Sequence, residues 1–182
     1  MSILAGLSSI TDGTVAFEGG LPRPLRGDLG IVPQKDVLFD DLTCLQTLEV
    51  WKAVKWSHNS DEDEDLEQLL IACDLEKKIH YNAAALSGGQ KRKLQLAIGL
   101  LGGSKSKHSS FRFSPSISKI TPFLPVVLVD ECTSGVDPLS RRALWKTLTT
   151  FRDDRCIVFT THVSISHLLP KGITSSTFIE CF

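Results

Sequence analysis

The stretch "VVLVDE", Val126 to Glu131, constrains the fold more than any other part of the chain. An apolar run without a polar break, Val126 to Val129, describes a strand covered on both faces, the environment of a parallel sheet. It ends in two adjacent carboxylates, Asp130 and Glu131, which are costly there unless they meet a cation. "DPLSRRALWKTLTTFRDD" follows as a helix, with Asp137 as cap, Pro138 in the first position, and Leu144, Leu148 and Phe151 inward. "CIVFTTH" is then a second buried strand, ending in His162. Strand, helix, strand is a parallel crossover, so the polar groups at both strand ends belong on one sheet edge. Open α/β sheets place ligands there.

A chain of 182 residues is long enough for one domain with a sizeable core. Its formal net charge of −1 argues against a nucleic-acid footprint spread over the surface. Five scattered cysteines without a C-x-x-C pair fit a reducing compartment better than a disulfide framework. The opening residues carry no basic leader, and no run approaches the ~20 apolar residues of a membrane helix. These residues alone are expected to be soluble.

Upstream of the crossover, Met1 to Leu7 reads as the tail of a helix, while "GTVAFEGG" and "LGIVPQ" read as short strands, the latter stopped at Pro33. Apolar residues recur at helical spacing from Leu38 to Trp56, with Asp41 or Thr43 as N-cap. The acidic run "SDEDEDLEQLLIACDL" reads as a solvated helix start with Leu66, Leu69, Leu70 and Cys73 on one stripe. "ALSGGQKRKLQLAIGLL", Ala85 to Leu101, opens another helix. The serine-rich segment Gly102 to Pro125 shows no clear period, and no capped helix or strand emerges after His162.

Several residues carry chemistry. With side chains alternating, one of Asp130 and Glu131 can hold Mg²⁺ through its water shell while the other faces an attacking water. His162, at the next strand end, can bond a terminal phosphate or orient a water. Gln34, after "LGIVP", offers an amide that can coordinate a metal-bound water. Ser87 and Gln90 match a capping box, yet Gly88 and Gly89 suit a backbone that must come close to an anion. Gln90, Lys91, Arg92 and Lys93 add donors and positive charge nearby.

The order of these pieces resembles the nucleotide-binding domain of ABC transporters, an α/β ATPase fold of the P-loop NTPase type. Gln34 matches the Q-loop, "LSGGQ" the signature motif, "VVLVDE" the Walker B strand, "SGVD" the D-loop and His162 the switch histidine. "PQKDVLFDDLT" and "DECTSGVDP" look most like the A subfamily, whose members are typically lipid transporters, with Cys132 where many relatives carry proline. The resemblance implies ATP and Mg²⁺ as ligands, Glu131 and His162 as catalytic residues, and Gln34 and Asp130 at the metal. Gln34, Ser87, Gly88, Gly89, Gln90 and Asp137 would face nucleotide. It implies a second such domain packed head to tail, transmembrane domains as further partners, no nucleic acid, and a place on the cytosolic face of a membrane.

The chain contains no G-x-x-x-x-G-K-[ST] loop; it starts at a Met that would follow that loop in the family. The expectation is a partial domain over 1–162, missing the first strand and phosphate loop and inactive alone. A helical subdomain runs from about 43 to 101, with an atypical insertion at about 104–125 and an atypical tail at 163–182. Removing roughly Ser106 to Pro125 restores family spacing, as excising a retained intron would. The alternatives are a non-catalytic partner module lending its signature loop, or a soluble ABC ATPase of translation or DNA repair.

Overall fold

In the computed structural model, the described residues are 2–15, 29–55, 65–102, 125–152, 155–160 and, as strand backbone, 178–181. Four parallel strands, β1 (Leu29–Val32), β2 (Val126–Asp130), β3 (Cys156–Thr160) and β4 (Phe178–Cys181), lie side by side in that order. The central residues of β2 and β3 are buried, as an unbroken apolar run requires. Helix α4 (Pro138–Phe151) makes the crossover between them. Its Asp137 cap accepts the Ser140 N–H at 2.9 Å, and Trp145 meets Phe159 edge-on at 5.1 Å.

Helix α3 (Gly88–Leu100) buries every residue from Arg92 to Leu100 and lies hard against β1. A Cβ on Gly30 would stand 1.9 Å from the Gly99 carbonyl oxygen, and one on Gly99 would stand 2.3 Å from Val32 Cγ2. A mid-helix glycine costs ~1 kcal/mol against alanine. Here it sets how closely helix and strand approach. The carbonyls at the α3 C-terminus are met by cations from other elements: Lys55 Nζ donates to Ile98 O at 3.0 Å and Leu101 O at 2.6 Å, and Arg155 Nη1 donates to Leu100 O. Positive charge at this end also suits the helix dipole.

Helix α1 (Cys44–Lys55) begins with a reciprocal cap between Thr43 and Gln46, at 3.0 and 3.1 Å, so Thr43 rather than Asp41 opens it. Helix α2 (Leu66–Ala72) is capped by Asp65, with Leu69, Leu70 and Cys73 buried and Leu66 packed against them. Short 3₁₀ turns at Glu76–Lys78 and Ala83–Ala85 lead into α3.

Two elements depart from expectation. Residues 2–7 form a turn, with Gly6 N–H bonded to Ile3 O and Leu7 N–H to Ser2 O, and not a helix. Leu7 and Ile3 are exposed there, and a single turn without a packed face does not propagate. Conversely, β4 pairs in parallel with β3 from Ile157↔Phe178 to Thr160↔Cys181, though its four residues carry no strand signal strong enough to stand alone. Neighbouring backbone supplies what periodicity lacks. Most of "GTVAFEGG", acidic residues 61–64, the insertion before Pro125, and His162 lie outside the described residues.

Candidate functional site at the carboxyl edge of the sheet

Register builds the site. Val32 pairs with Val129, so Gln34 and Glu131, each two residues further on, arrive at the same level of the carboxyl edge. Gln34 Nε2 donates to Glu131 Oε2 at 2.9 Å. Asp130 pairs with Thr160 in the neighbouring strand, and Thr160 Oγ1 donates to Asp130 Oδ1 at 2.5 Å. The two carboxylates therefore take different partners, though not through alternation along a strand. Glu131 reaches its position by leaving the strand altogether. Its φ is +45°, in a region that costs a non-glycine residue roughly 1–3 kcal/mol. Its N–H stays bound to Thr160 O at 3.2 Å and Thr160 Oγ1 at 3.3 Å.

Sequence reasoning missed the residue that joins these pieces. Arg92, 4% exposed on α3, donates from Nε to Cys132 O at 3.0 Å. Its Nη1 reaches Pro33 O at 2.8 Å and Asp36 Oδ1 at 2.9 Å, and its Nη2 reaches Asp130 O and Glu131 O, each at 3.3 Å. The expectation that Arg92 and Lys93 offer positive charge to an anion is corrected here, since both are buried and paired. Lys93 is turned onto Asp74 at 2.6 Å, and Lys91 lies 3.7 Å from Asp40. Arg92 and Lys93 sit about one and a half helical turns past Ser87, where α3 already faces the core. No local spacing marks Arg92 as buried, because its partners lie 38 to 59 residues away in sequence.

Ser87, Gly88, Gly89 and Gln90 form a second group. The capping box is real: Gln90 N–H donates to Ser87 Oγ at 3.3 Å and Ser87 N–H to Gln90 Oε1 at 3.0 Å. The two glycines differ in surroundings. A Cβ on Gly88 would meet open space, whereas one on Gly89 would stand 2.5 Å from Ser140 Oγ and 3.6 Å from Asp137 Oδ1. Gly88 leaves the helix start uncovered; Gly89 lets α3 and α4 begin side by side. Hydrogen bonding from the Ser140 backbone N–H, then from its hydroxyl, holds the Asp137 carboxyl below its ordinary range.

A family profile described as "ABC transporter" matches residues 1–106. The chain belongs to the ABC transporter family. Its similar relatives are A-subfamily proteins: it is 34% identical to ABC transporter A family member 2 of Dictyostelium discoideum, over 89% of this chain and 9% of that protein. It is 35% identical to the phospholipid-transporting ATPase ABCA3 of Homo sapiens, again over 89% of this chain and 9% of the relative. The chain thus spans about a tenth of these relatives' length. Among solved structures, a dimeric bacterial ABC transporter cassette aligns with a TM-score of 0.64 at 21% identity, covering 89% of this chain and 68% of that one. The sheet and its helices are those of the ABC ATPase cassette, as the sequence led one to expect.

Among the described residues, no three His, Cys, Asp or Glu side chains cluster as a metal cage. Asp130 and Gln34, both at the carboxyl edge, are the residues that could hold Mg²⁺, an ion that keeps several of its waters. A lysine-bearing phosphate loop is not encoded in the 182 residues. Among the described residues, no helix is long and apolar enough to cross a membrane.

Proposed function

We propose that this chain is the ATP-binding and ATP-hydrolysing part of a transporter that moves lipids, working against a second cassette across a shared nucleotide. The observation that carries the reading is the convergence of Gln34 and Glu131 at 2.9 Å on the carboxyl edge of the sheet. Glu131 polarises the water that attacks the γ-phosphate, and the Gln34 amide fixes which way the carboxylate points. Asp130 and Gln34 would hold Mg²⁺, which would supply positive charge to neutralise the phosphates. His162, two residues beyond β3 in the sequence, bonds the γ-phosphate. The open start of α3, Ser87 and Gly88, receives the γ-phosphate of nucleotide seated on the partner cassette, while Gly89, Gln90 and Asp137 hold that start in place.

The likeness to a dimeric cassette supports the pairing, and the likeness to a phospholipid-transporting ATPase supports the lipid class. Transmembrane domains are the further partners, at the cytosolic face of a membrane. The A-subfamily relatives argue against the soluble ATPase of translation or DNA repair. A second reading applies to the 182 residues taken alone. They encode a signature loop and no phosphate loop, so they act as the lid for a partner's ATP and grip their own poorly.

The test joins the chain to the phosphate-loop segment of a relative. With ATP and Mg²⁺ it should dimerise in sedimentation and hydrolyse ATP, and E131Q should cut turnover ~10²–10⁴-fold without abolishing pairing. Failure to pair, or turnover indifferent to E131Q, overturns the reading. The 182-residue chain itself should bind ATP more weakly than micromolar, that is by less than about 8 kcal/mol.

A further inference from the structure

We infer that Arg92 is a positioning residue that ties the chain's signature helix to its own Gln34–Glu131 pair, an inference resting on the function proposed above. One guanidinium holds the backbone around Glu131 and the residues that flank Gln34. From the Gln34 side it takes Pro33 O and the Asp36 carboxylate, at 2.8 and 2.9 Å. From the Glu131 side it takes the carbonyls of Asp130, Glu131 and Cys132, three in succession.

The chemistry of the group explains why it is arginine. Five N–H donors in a rigid planar fork can serve two chain segments from fixed directions; an ammonium offers three donors from a single point. The carbonyls belong to a turn in which Glu131 is left-handed, and outward-pointing carbonyls of such a turn need donors when buried. Gln95, one turn further along α3, adds a second tether by accepting the Val37 N–H at 2.7 Å. The segment after β1 and the turn after β2 are therefore both fastened to the helix that starts at Ser87.

The consequence is a link between two composite sites. Ser87 and Gly88 meet nucleotide on the partner, while Gln34 and Glu131 serve the chain's own. A shift of α3 when its start takes up a phosphate carries Arg92 with it, and Arg92 carries the Gln34–Glu131 contact. The coupling has a defined mechanical path, α3 to guanidinium to two backbone segments.

The test uses the complete transporter carrying this cassette, with ATP turnover and KM measured for Arg92→Lys alone and combined with Gln34→Ala. Arg92→Lys should fold, keep KM within about twofold and lower kcat ~10-fold or more, the range of residues that orient others. In the Gln34→Ala background it should lower kcat no further, because the contact it positions is already gone; independent structural damage would multiply instead. Normal turnover in Arg92→Lys, or multiplicative losses in the double variant, overturns the inference. Should Arg92→Lys not fold, Asp36→Asn, which removes the carboxylate from the same guanidinium, must show the same non-additivity with Gln34→Ala, and a silent or multiplicative Asp36→Asn overturns it equally. If the unaltered transporter hydrolyses no ATP, or E131Q leaves its turnover unchanged, the proposed function itself fails. Active protein that loses turnover in E131Q but ignores Arg92 sinks this inference alone.

Discussion

Gln34 and Glu131 lie 97 residues apart in sequence and 2.9 Å apart in space, the amide of one bonded to the carboxylate of the other. Each stands two residues beyond a paired valine, so the sheet register itself delivers them to one another. Gln34→Ala should leave folding intact, because Gln34 is exposed. It should lower turnover ~10–100-fold by freeing Glu131 from its orientation. Steady-state ATP hydrolysis alongside a thermal melt checks both halves of the statement.

The two signature glycines should respond differently. Gly89→Ala drives a methyl onto Ser140, whose Oγ would be 2.5 Å away, and overpacking of this kind costs ~1–3 kcal/mol. Ser140→Ala should relieve part of that loss. Gly88→Ala meets no neighbour, so it should fold normally and weaken ATP-driven pairing instead. Denaturant midpoints and sedimentation in ATP separate the outcomes; equal destabilisation by both alanines would refute the division of labour.

Gly30→Ala should be among the most damaging single changes. Its new methyl would fall 1.9 Å from the Gly99 carbonyl oxygen, which belongs to backbone and cannot turn aside. A loss of ~3 kcal/mol or more, the upper end of overpacking, is expected in urea unfolding. A loss below ~1 kcal/mol would mean that β1 and α3 are farther apart than described.

Alkali should destabilise the fold through its buried thiols. Burial raises Cys132 to about 11 and Cys73 to about 12, against 9.0 for an ordinary thiol. A raised folded value means that the unfolded chain loses the proton first. Stability from each group is complete below pH 9 and is lost as pH climbs towards 11 or 12, by up to ~1.4 kcal/mol per pH unit per thiol. Urea midpoints at pH 8 and 10.5 should diverge in the parent chain and diverge less in Cys132→Ala. An unchanged slope would place Cys132 outside the buried turn.

What the amino-acid sequence determined was local. Apolar runs made β2 and β3, Asp137 with Pro138 opened α4, and Thr43, Asp65 and Ser87 each capped a helix by reaching three residues on. Such bonds depend on neighbours within one turn, so spacing revealed the Ser87 cap and narrowed that of α1 to Asp41 or Thr43. Order along the chain also exposed Gln34, Asp130 and Glu131 as edge residues, because crossover topology sends strand ends to one side. Tertiary structure alone decided that Gln34 touches Glu131, that Thr160 binds Asp130, and that Gly89 is crowded while Gly88 is open. It also turned Arg92 inward and gave β4 a partner. These outcomes depend on strand register and on the distance between α3 and β1, and both are set by contacts between residues far apart in sequence. No local spacing encodes them.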